Sequence, residues 1–409
     1  MDFDQLGYRA GEVFSPASPI DDKQFFSGRR DQLQRCVDAI KMKGQHTVIY
    51  GERGVGKTSL ANIIHVILSE LNSELFLVNK SICDSGDTFD SVWRKALKAI
   101  DHISEVRAAG FEPNIKQNIM DLSQAIDQEI KPEDVCKAFL GTKKSVVFIF
   151  DEFDRLQIDG TRELFADTIK ALSDKGINGT LVLVGVSESI DQLIEGHESI
   201  VRSLVQIKMP RMNEDELKKI LTKACDVLEM CFDDSAAERI IRLSQGLPHY
   251  THQLGLWSFR SALKRESMNI SIEDVNKGVA TAVENAQGTT QHTYQRATSS
   301  SRAGHLYREV LTACALARTD EFGSFASTDV RAVLSKLMGK TYEIPQFAQH
   351  LSKFCGTERN VLTRSGVPRS PRYRFIDPLV KPYVIMKGFN DKLLNEENLD
   401  LVPMWSPIS

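Results

Sequence analysis

Residues 48–60 of the chain read VIYGERGVGKTSL, and this stretch decides the fold. A β-type run at 46–50 ends in the spacing G-x-x-x-x-G-K-T at 51–58, and a helical pattern follows at once over 59–69. Glycines in such a loop let backbone N–H groups curl around phosphate oxygens, and the helix N-terminus adds positive potential. The alternative is a glycine-rich turn that binds nothing, and the match at all four fixed positions argues against it. The stretch therefore predicts a phosphate-binding loop.

Two side chains of this loop have separate predicted roles. Lys57 is expected to reach the β- and γ-phosphates of a nucleotide, and the Thr58 hydroxyl is expected to ligate Mg²⁺.

The composition is that of an ordinary globular protein. The 409 residues are 42% hydrophobic and 26% charged, which is enough chain for two or three domains. A net charge of −4 argues against a globally basic nucleic-acid binder but leaves room for a local basic surface. Seven scattered cysteines without a C-x-x-C pair predict reduced thiols. With no long apolar run and no secretory pattern at the N-terminus, the sequence predicts a cytoplasmic protein.

A second informative stretch, SVVFIFDEFD, covers residues 145–154. Consecutive β-formers predict a strand buried on both faces, with carboxylates where the strand surfaces. Asp151 is expected to hold Mg²⁺ through water, and Glu152 to orient and deprotonate the water that attacks the γ-phosphate. The alternative is that these acidic residues merely end a strand and have no role at a site. The phosphate loop elsewhere in the sequence makes this alternative the less favoured one.

Further buried strands are predicted at 74–80, 180–186 and 204–209, which gives a parallel five-stranded α/β sheet. Ser187 follows the fourth strand and is expected to place a hydroxyl between the Asp151 carboxylate and the γ-phosphate, although serine is also a common turn residue. The pair Asn79-Lys80 lacks the Asp of a guanine-specifying N-K-x-D, because Ile82 stands there. This argues against a GTPase.

One arginine precedes the last strand. Arg202 is predicted to project from the subunit edge and to complete a neighbouring subunit's ATP site as an arginine finger. A solvated surface arginine is the alternative. Arg211 is a weaker rival for the role.

Residues 1–24 are predicted to be an extended lead-in. The following FFSGRRD is a candidate adenine-proximal segment, with Ile20, Phe25 and Phe26 flanking the base and Gly28 permitting close backbone approach. The two phenylalanines are equally well explained as core anchors.

After the 25–210 nucleotide-binding domain, the sequence predicts a helical lid at 211–286, a polar linker at 287–304 and a further domain at 305–389. Three helical patterns followed by two β-type runs in the further domain predict a winged helix. The tail, 390–409, is interpreted as either a docking peptide or a strap on the core. Four arginines of the predicted wing suit contact with phosphates of duplex DNA, and packing against protein is the alternative. They are Arg364, Arg369, Arg372 and Arg374.

These motifs together resemble the AAA+ ATPases, in the branch shared by origin-recognition initiators and STAND-type switches. The resemblance rests on GERGVGKTS at 51–59, VVFIFDEFD at 146–154, VSES at 186–189 and SIVRSLVQIKMPRM at 199–212, with FFSGRRDQL at 25–33 similar to the adenine-proximal box. It implies ATP and Mg²⁺ as cofactors, Asp151 and Glu152 as Walker B, Ser187 as sensor 1 and Arg202 as the finger. The residues that it places around ATP are Gly51, Glu52, Arg53, Gly54, Val55, Gly56, Lys57, Thr58, Ser59, Gly28, Arg29, Pro248 and His249.

The chain departs from the family pattern at one place. Where many AAA+ proteins carry a sensor-2 Arg, residues 246–250 read GLPHY, which is similar to the STAND-type lid. His249 is interpreted either as a substitute for that Arg or as an incidental polar cap. The departure favours a slow switch over a motor.

Two functions from different classes remain open. The first is an ATPase switch whose nucleotide state controls oligomerisation and the engagement of DNA or a partner factor. The second is a STAND-like signalling switch, for instance in antiviral defence, that regulates a separate effector without binding DNA. The arginines of the predicted wing favour the first function, and the sequence GLP at 246–248 favours the second function.

Overall fold

The computed structural model describes residues 3–405 except 17, 21–25, 72–74, 107–128, 141–143, 188–189, 191–192, 195–197, 301–304, 321–322 and 368–369. The chain divides into two units. The sheet unit comprises residues 19–52 and 56–210, and the helical unit comprises residues 1–18, 53–55 and 211–409. The predicted lid and the predicted C-terminal domain thus fall in one unit.

The chain begins with helix α1 (Phe3–Val13), which belongs to the helical unit. The prediction of an extended lead-in is wrong for this segment. Leu6, Ala10 and Val13 are buried at spacings of four and three residues, which is one face of a helix. Burial of that face outweighs the Pro and Ser residues that favoured an extended chain.

A five-stranded parallel sheet forms in the sheet unit, which confirms the predicted fold class. The strands are β1 (His46–Gly51), β2 (Phe76–Ile82), β3 (Ser145–Asp151), β4 (Gly179–Val186) and β5 (Leu204–Lys208). Their order is β2-β3-β4-β1-β5, and every neighbouring pair is parallel. Parallel strands place their carboxyl ends at one edge of the sheet. This edge therefore carries the phosphate loop after β1, the acidic pair after β3 and Ser187 after β4.

Five helices of the sheet unit are described: α2 (Arg30–Lys41), α3 (Lys57–Leu71), α4 (Phe89–Val106), α5 (Pro132–Phe139) and α6 (Thr161–Asp174). The helix predicted around 89–103 is confirmed by α4. The helical pattern at 118–140 lies within the described residues only from residue 129 onward, where α5 forms. The joint predicted at 110–114 lies outside the described residues. No helix in the described part of the chain is long and apolar enough to span a bilayer.

An aromatic cluster holds β3 in place. The fully buried Trp93 of α4 lies 5.0 Å from Phe148 and 5.2 Å from Phe150, measured between ring centroids, and Phe165 of α6 lies 5.0 Å from Phe150. Truncating a core aromatic residue typically costs about 3–5 kcal/mol. The strand that presents Asp151 is therefore rigidly packed.

The helical unit continues with α7 (Glu214–Leu228), α8 (Asp234–Ser244), α9 (Pro248–Lys264) and α10 (Ile272–Glu284), with the short strands β6 (Cys231–Phe232) and β7 (Asn269–Ile270). Two capping boxes are present, Asn213 with Glu216 before α7 and Ser271 with Asp274 before α10. Pro248 is the first residue of α9, a position that proline favours.

The segment 287–304, predicted as a linker, contains helix α11 (Gly288–Thr298). Its sparse apolar residues recur at helical spacing, and Thr290, Tyr294 and Ala297 are buried. Because the segment is polar on average, its composition did not indicate these three buried positions.

The remaining elements are α12 (Tyr307–Leu316), β8 (Phe325–Ala326), α13 (Ser327–Met338), α14 (Ile344–Cys355), β9 (Leu362–Val367), β10 (Ser370–Phe375) and α15 (Val380–Asn390). Strands β8, β10 and β9 form an antiparallel sheet in that order. This is the succession of elements that a winged helix requires, and the assignment itself stays a prediction.

The tail packs on α8 of the same unit. A 3₁₀ helix (Glu396–Leu401) places Glu396 against Arg239, and the Gln245 side chain donates to the Pro403 carbonyl at 2.8 Å. Arg211 covers the Trp405 ring at 4.6 Å from its centroid. These contacts favour the strap over the free docking peptide for residues 396–405.

Candidate functional site

The phosphate loop needs glycine at two described positions. A Cβ on Gly51 would lie 2.4 Å from the carbonyl oxygen of Met209, the residue directly after β5, so no side chain fits there. Gly56 has φ +94°, a conformation that side chains disfavour. Between them, Gly54 also has positive φ, and Val55 is fully buried. The loop therefore bends sharply between β1 and α3.

Lys57 is the first residue of α3 and is buried. Its ammonium donates to the carbonyl oxygens of Gly51 and Glu52, at 3.1 and 2.8 Å. The positive charge is thus held inside the bend of the loop, where a phosphate group would be cradled.

The structure brings Thr58 and Asp151 together across α3 and β3. The Thr58 hydroxyl donates to Asp151 Oδ1 at 3.3 Å, and Asp151 is 3% exposed. A hydroxyl oxygen and a carboxylate oxygen are ligands that Mg²⁺ prefers, and Mg²⁺ in phosphate sites takes its other ligands from phosphates and water. The pair therefore fits the predicted magnesium site. No cluster of three or more His, Cys, Asp or Glu residues that would hold a metal occurs among the described residues.

Glu152 follows Asp151 in a left-handed conformation, with φ +55°. Its side chain is about half exposed, and Arg155 Nη1 donates to its carboxylate at 2.7 Å. The bend turns the two adjacent carboxylates in different directions. Asp151 is buried beside Thr58, and Glu152 is open to solvent, as a residue that activates water must be.

Ser187 lies directly after β4, the strand between β3 and β1, and it is buried. This places it between the acidic pair and the phosphate loop along the sheet edge. The tips of β3 and β4 are tied together, because the Val186 N–H donates to Asp154 Oδ1 at 2.7 Å. Asp154 was not predicted to have a role, and it holds the backbone of the residue that precedes Ser187.

The predicted adenine-proximal residues are only partly described. Phe25 lies outside the described residues. Arg29 is buried and donates to the Pro210 carbonyl after β5, and Gly28 precedes it with φ +69°. Ser59 of α3 accepts a hydrogen bond from the Ile20 N–H at 3.1 Å. Ser59 thus anchors the chain that leads to this segment.

Some predicted nucleotide contacts fall in the helical unit. Arg53 Nη1 lies 3.6 Å from Asp377 Oδ2. Pro248 and His249 open α9, and burial lowers the pKa of His249, which favours a neutral imidazole. A role for these residues toward ATP stays a prediction.

Arg202 and Arg211 differ in exposure. The Arg202 side chain is 81% exposed and lies 3.5 Å from Asp174 at the end of α6. Arg211 is 7% exposed and donates to the Gln245 carbonyl at 3.1 Å. Burial rules Arg211 out as a group that projects toward another subunit.

The arginines of the predicted wing have different environments. Arg364 is exposed on β9, and Arg374 is half-buried on β10. Arg372 donates to Asp320 and to the Ser324 carbonyl, at 2.5 and 2.9 Å, so its guanidinium holds the domain together. Arg369 lies outside the described residues.

Lys80 has no predicted role in this site. Its ammonium lies 2.9 Å from Asp151 Oδ2, inside the candidate site. The sequence contains only part of the information needed to find this contact. Lys80 is the last residue of the strand predicted at 74–80, but the order of the sheet determines which neighbouring strand it faces.

The family model for novel STAND NTPase 1 matches residues 16–359. No curated protein matches the chain. Among solved structures, a Walker-type ATPase of Pyrococcus abyssi is similar at a TM-score of 0.55 and 14% identity, covering 91% of this chain and 99% of that one. The ORC1 protein of Aeropyrum pernix, solved with DNA, gives 0.48 and 15% over 93% and 97% of the two chains. RuvB of Thermotoga maritima gives 0.45 and 17% over 86% and 94%.

At 14% identity the likeness to the Walker-type ATPase concerns the fold alone, and it agrees with the parallel sheet described above. The family match covers most of the chain, including the phosphate loop, the acidic pair and Arg202. A phosphate loop of this sequence, in this sheet, with a carboxylate beside its threonine, is the core of a P-loop NTPase. The chain belongs to the novel STAND NTPase 1 family.

Proposed function

We propose that the chain is a cytoplasmic ATP-dependent switch, which binds ATP with Mg²⁺, hydrolyses it slowly and uses its nucleotide state to control oligomerisation and the engagement of a partner. The observation that carries the proposal is the convergence of a buried lysine, a hydroxyl and two carboxylates at one sheet edge. Lys57 would bind the phosphates, and Thr58 and Asp151 would hold Mg²⁺. That ion would polarise the phosphate oxygens.

Slow hydrolysis is supported by the GLPHY segment, which has no arginine at the position of sensor 2. The NTPase is therefore expected to hold ATP for long periods, as a switch requires.

The variant Glu152→Gln tests the water-activating role. Removing a general base typically costs about 10²–10⁴ in rate. We expect turnover to fall by about that factor while ATP stays bound, so that ATP-loaded oligomers accumulate. Phosphate release and light scattering on a sizing column measure the two effects, with Glu163→Gln on α6 as the control. Turnover equal to that of the wild type would contradict the role.

A second function, contact with duplex DNA, is supported by the exposed Arg364 on the β9–β10 hairpin. Arg372 is excluded from the test because its ion pair with Asp320 is structural. We expect the double variant Arg364→Ala, Arg374→Ala to bind duplex DNA about tenfold more weakly and to reduce the salt slope by about one per lost phosphate contact.

Gel shifts over a salt series measure this effect, with Arg331→Ala on α13 as the matched control. Unchanged binding by the double variant, or no binding by the wild type, would favour the STAND-like alternative, in which the C-terminal domain engages a protein effector.

A further inference from the structure

Lys80 lies on the candidate magnesium site without belonging to either of its sequence motifs. The two oxygens of Asp151 have different partners. Oδ1 accepts from the Thr58 hydroxyl at 3.3 Å and from the Glu152 N–H at 3.0 Å, whereas Oδ2 lies 2.9 Å from the Lys80 ammonium. The side chains of Lys80 and Asp151 are 17% and 4% exposed. This ion pair is therefore largely shielded from solvent.

Helix α3 fixes the ammonium from the other side. Lys80 donates to Asn62 Oδ1, and Asn62 Nδ2 in turn donates to the Ile20 carbonyl at 3.3 Å. Asn62 lies on the helix that begins with Lys57. The Lys80 cation is consequently positioned by two elements of the site, and it is not a mobile surface charge.

The negative charge of a carboxylate that ligates Mg²⁺ is normally balanced by the metal ion itself. In the absence of a cation, the carboxylate repels the phosphates of a nucleotide. At separations of a few ångströms in a site shielded from water, this repulsion is much stronger than it would be between exposed charges. A resident ammonium cancels part of that repulsion, and it also competes with the metal for the same carboxylate.

We propose that Lys80 is a built-in counter-charge for Asp151, which lets the chain bind ATP with little dependence on Mg²⁺ and makes it take up Mg²⁺ weakly. Lys80 is in this account a positioning residue, since it acts through Asp151. The inference rests on the proposed ATP binding. We therefore expect the fraction of chains that hold nucleotide to change little with the concentration of free Mg²⁺. We also expect the Lys80 ammonium to oppose the binding of Mg²⁺ to Asp151.

The test measures the Kd of a fluorescent ATP analogue in EDTA and along a Mg²⁺ titration. For the wild type, we expect the two limits to differ by less than about tenfold. For Lys80→Met, we expect affinity in EDTA to fall by about tenfold or more, and the Mg²⁺ concentration for half-maximal effect to fall by a similar factor. Lys80→Arg keeps the cation and is expected to behave like the wild type.

Lys41→Met, an exposed lysine at the end of α2, is the matched control. If thermal melting shows that Lys80→Met is unfolded, Lys80→Gln replaces it, because its amide still donates to Asn62. A merely structural role would weaken binding equally with and without metal. That result, or a Mg²⁺ dependence identical to that of the wild type, overturns the inference. No nucleotide binding by the wild type under any condition would instead overturn the proposed function.

Discussion

Replacing Arg202 with alanine is expected to lower ATP hydrolysis by about 10³-fold or more and to leave the affinity for ATP nearly unchanged. The reason lies in the position of Arg202 in the sheet. It precedes β5, and the Gln45 side chain, just before β1, donates to its carbonyl at 3.5 Å. Both residues mark the amino edge of the parallel strands. The phosphate loop lies at the carboxyl edge, across β1, a distance of about 20 Å.

Arg202 therefore cannot serve the ATP site of its own chain through this sheet. Its exposed guanidinium is available to a second subunit, where it would spread the charge of the transition state. The ion pair with Asp174 does not oppose this, since exposed pairs are worth only about 0–1 kcal/mol.

Phosphate release at saturating ATP measures the effect on hydrolysis, and equilibrium binding of the nucleotide measures affinity. Lys170→Ala, an exposed cation on α6, is the matched control. A mixing experiment sharpens the test. Arg202→Ala subunits bind ATP, and Lys57→Ala subunits supply Arg202, so a mixture of two inactive variants is expected to recover activity. Normal turnover by Arg202→Ala alone would rule out the trans role.

The second large effect is expected from Lys57→Ala, which should weaken ATP binding by about a hundredfold or more. A hydrogen bond to a charged group is worth about 1.5–3 kcal/mol, and Lys57 is expected to make two such bonds to phosphates. The measurement is the ATP-induced rise in melting temperature together with a direct binding titration. Both signals should need about a hundredfold more ATP in the variant.

The matched control for this variant is Lys43→Ala, another cation of the sheet unit. Since Lys57 also donates to Gly51 and Glu52, the variant's melting temperature without ATP needs to be recorded as well. An undiminished ATP-induced shift in Lys57→Ala would contradict the assignment of the loop.

The sheet and its strands were predictable, because buried parallel strands are continuous apolar runs bounded by recognisable turn residues. The phosphate loop, Asp151 and Ser187 follow from where those runs end. What sequence could not provide was the pairing between distant segments. Lys80 and Asp151 meet only because β2 neighbours β3, and no local pattern encodes that neighbourhood.

The errors have a common physical source. Segment 1–24 was interpreted from its Pro and Ser residues and segment 287–304 from its polar composition, yet α1 and α11 bury narrow stripes of apolar residues. The candidate arginines show the same limit of sequence reasoning. Arg211 is buried, and Arg372 donates to Asp320 and to the Ser324 carbonyl, which their positions in the sequence did not indicate.

A calorimetric titration of the purified chain with ATP in the presence of Mg²⁺ tests whether the phosphate loop binds the nucleotide. We expect saturable binding of one ATP per chain, lost in Lys57→Ala, and no comparable binding of GTP. Absence of heat with ATP, or equal binding by Lys57→Ala, would contradict it.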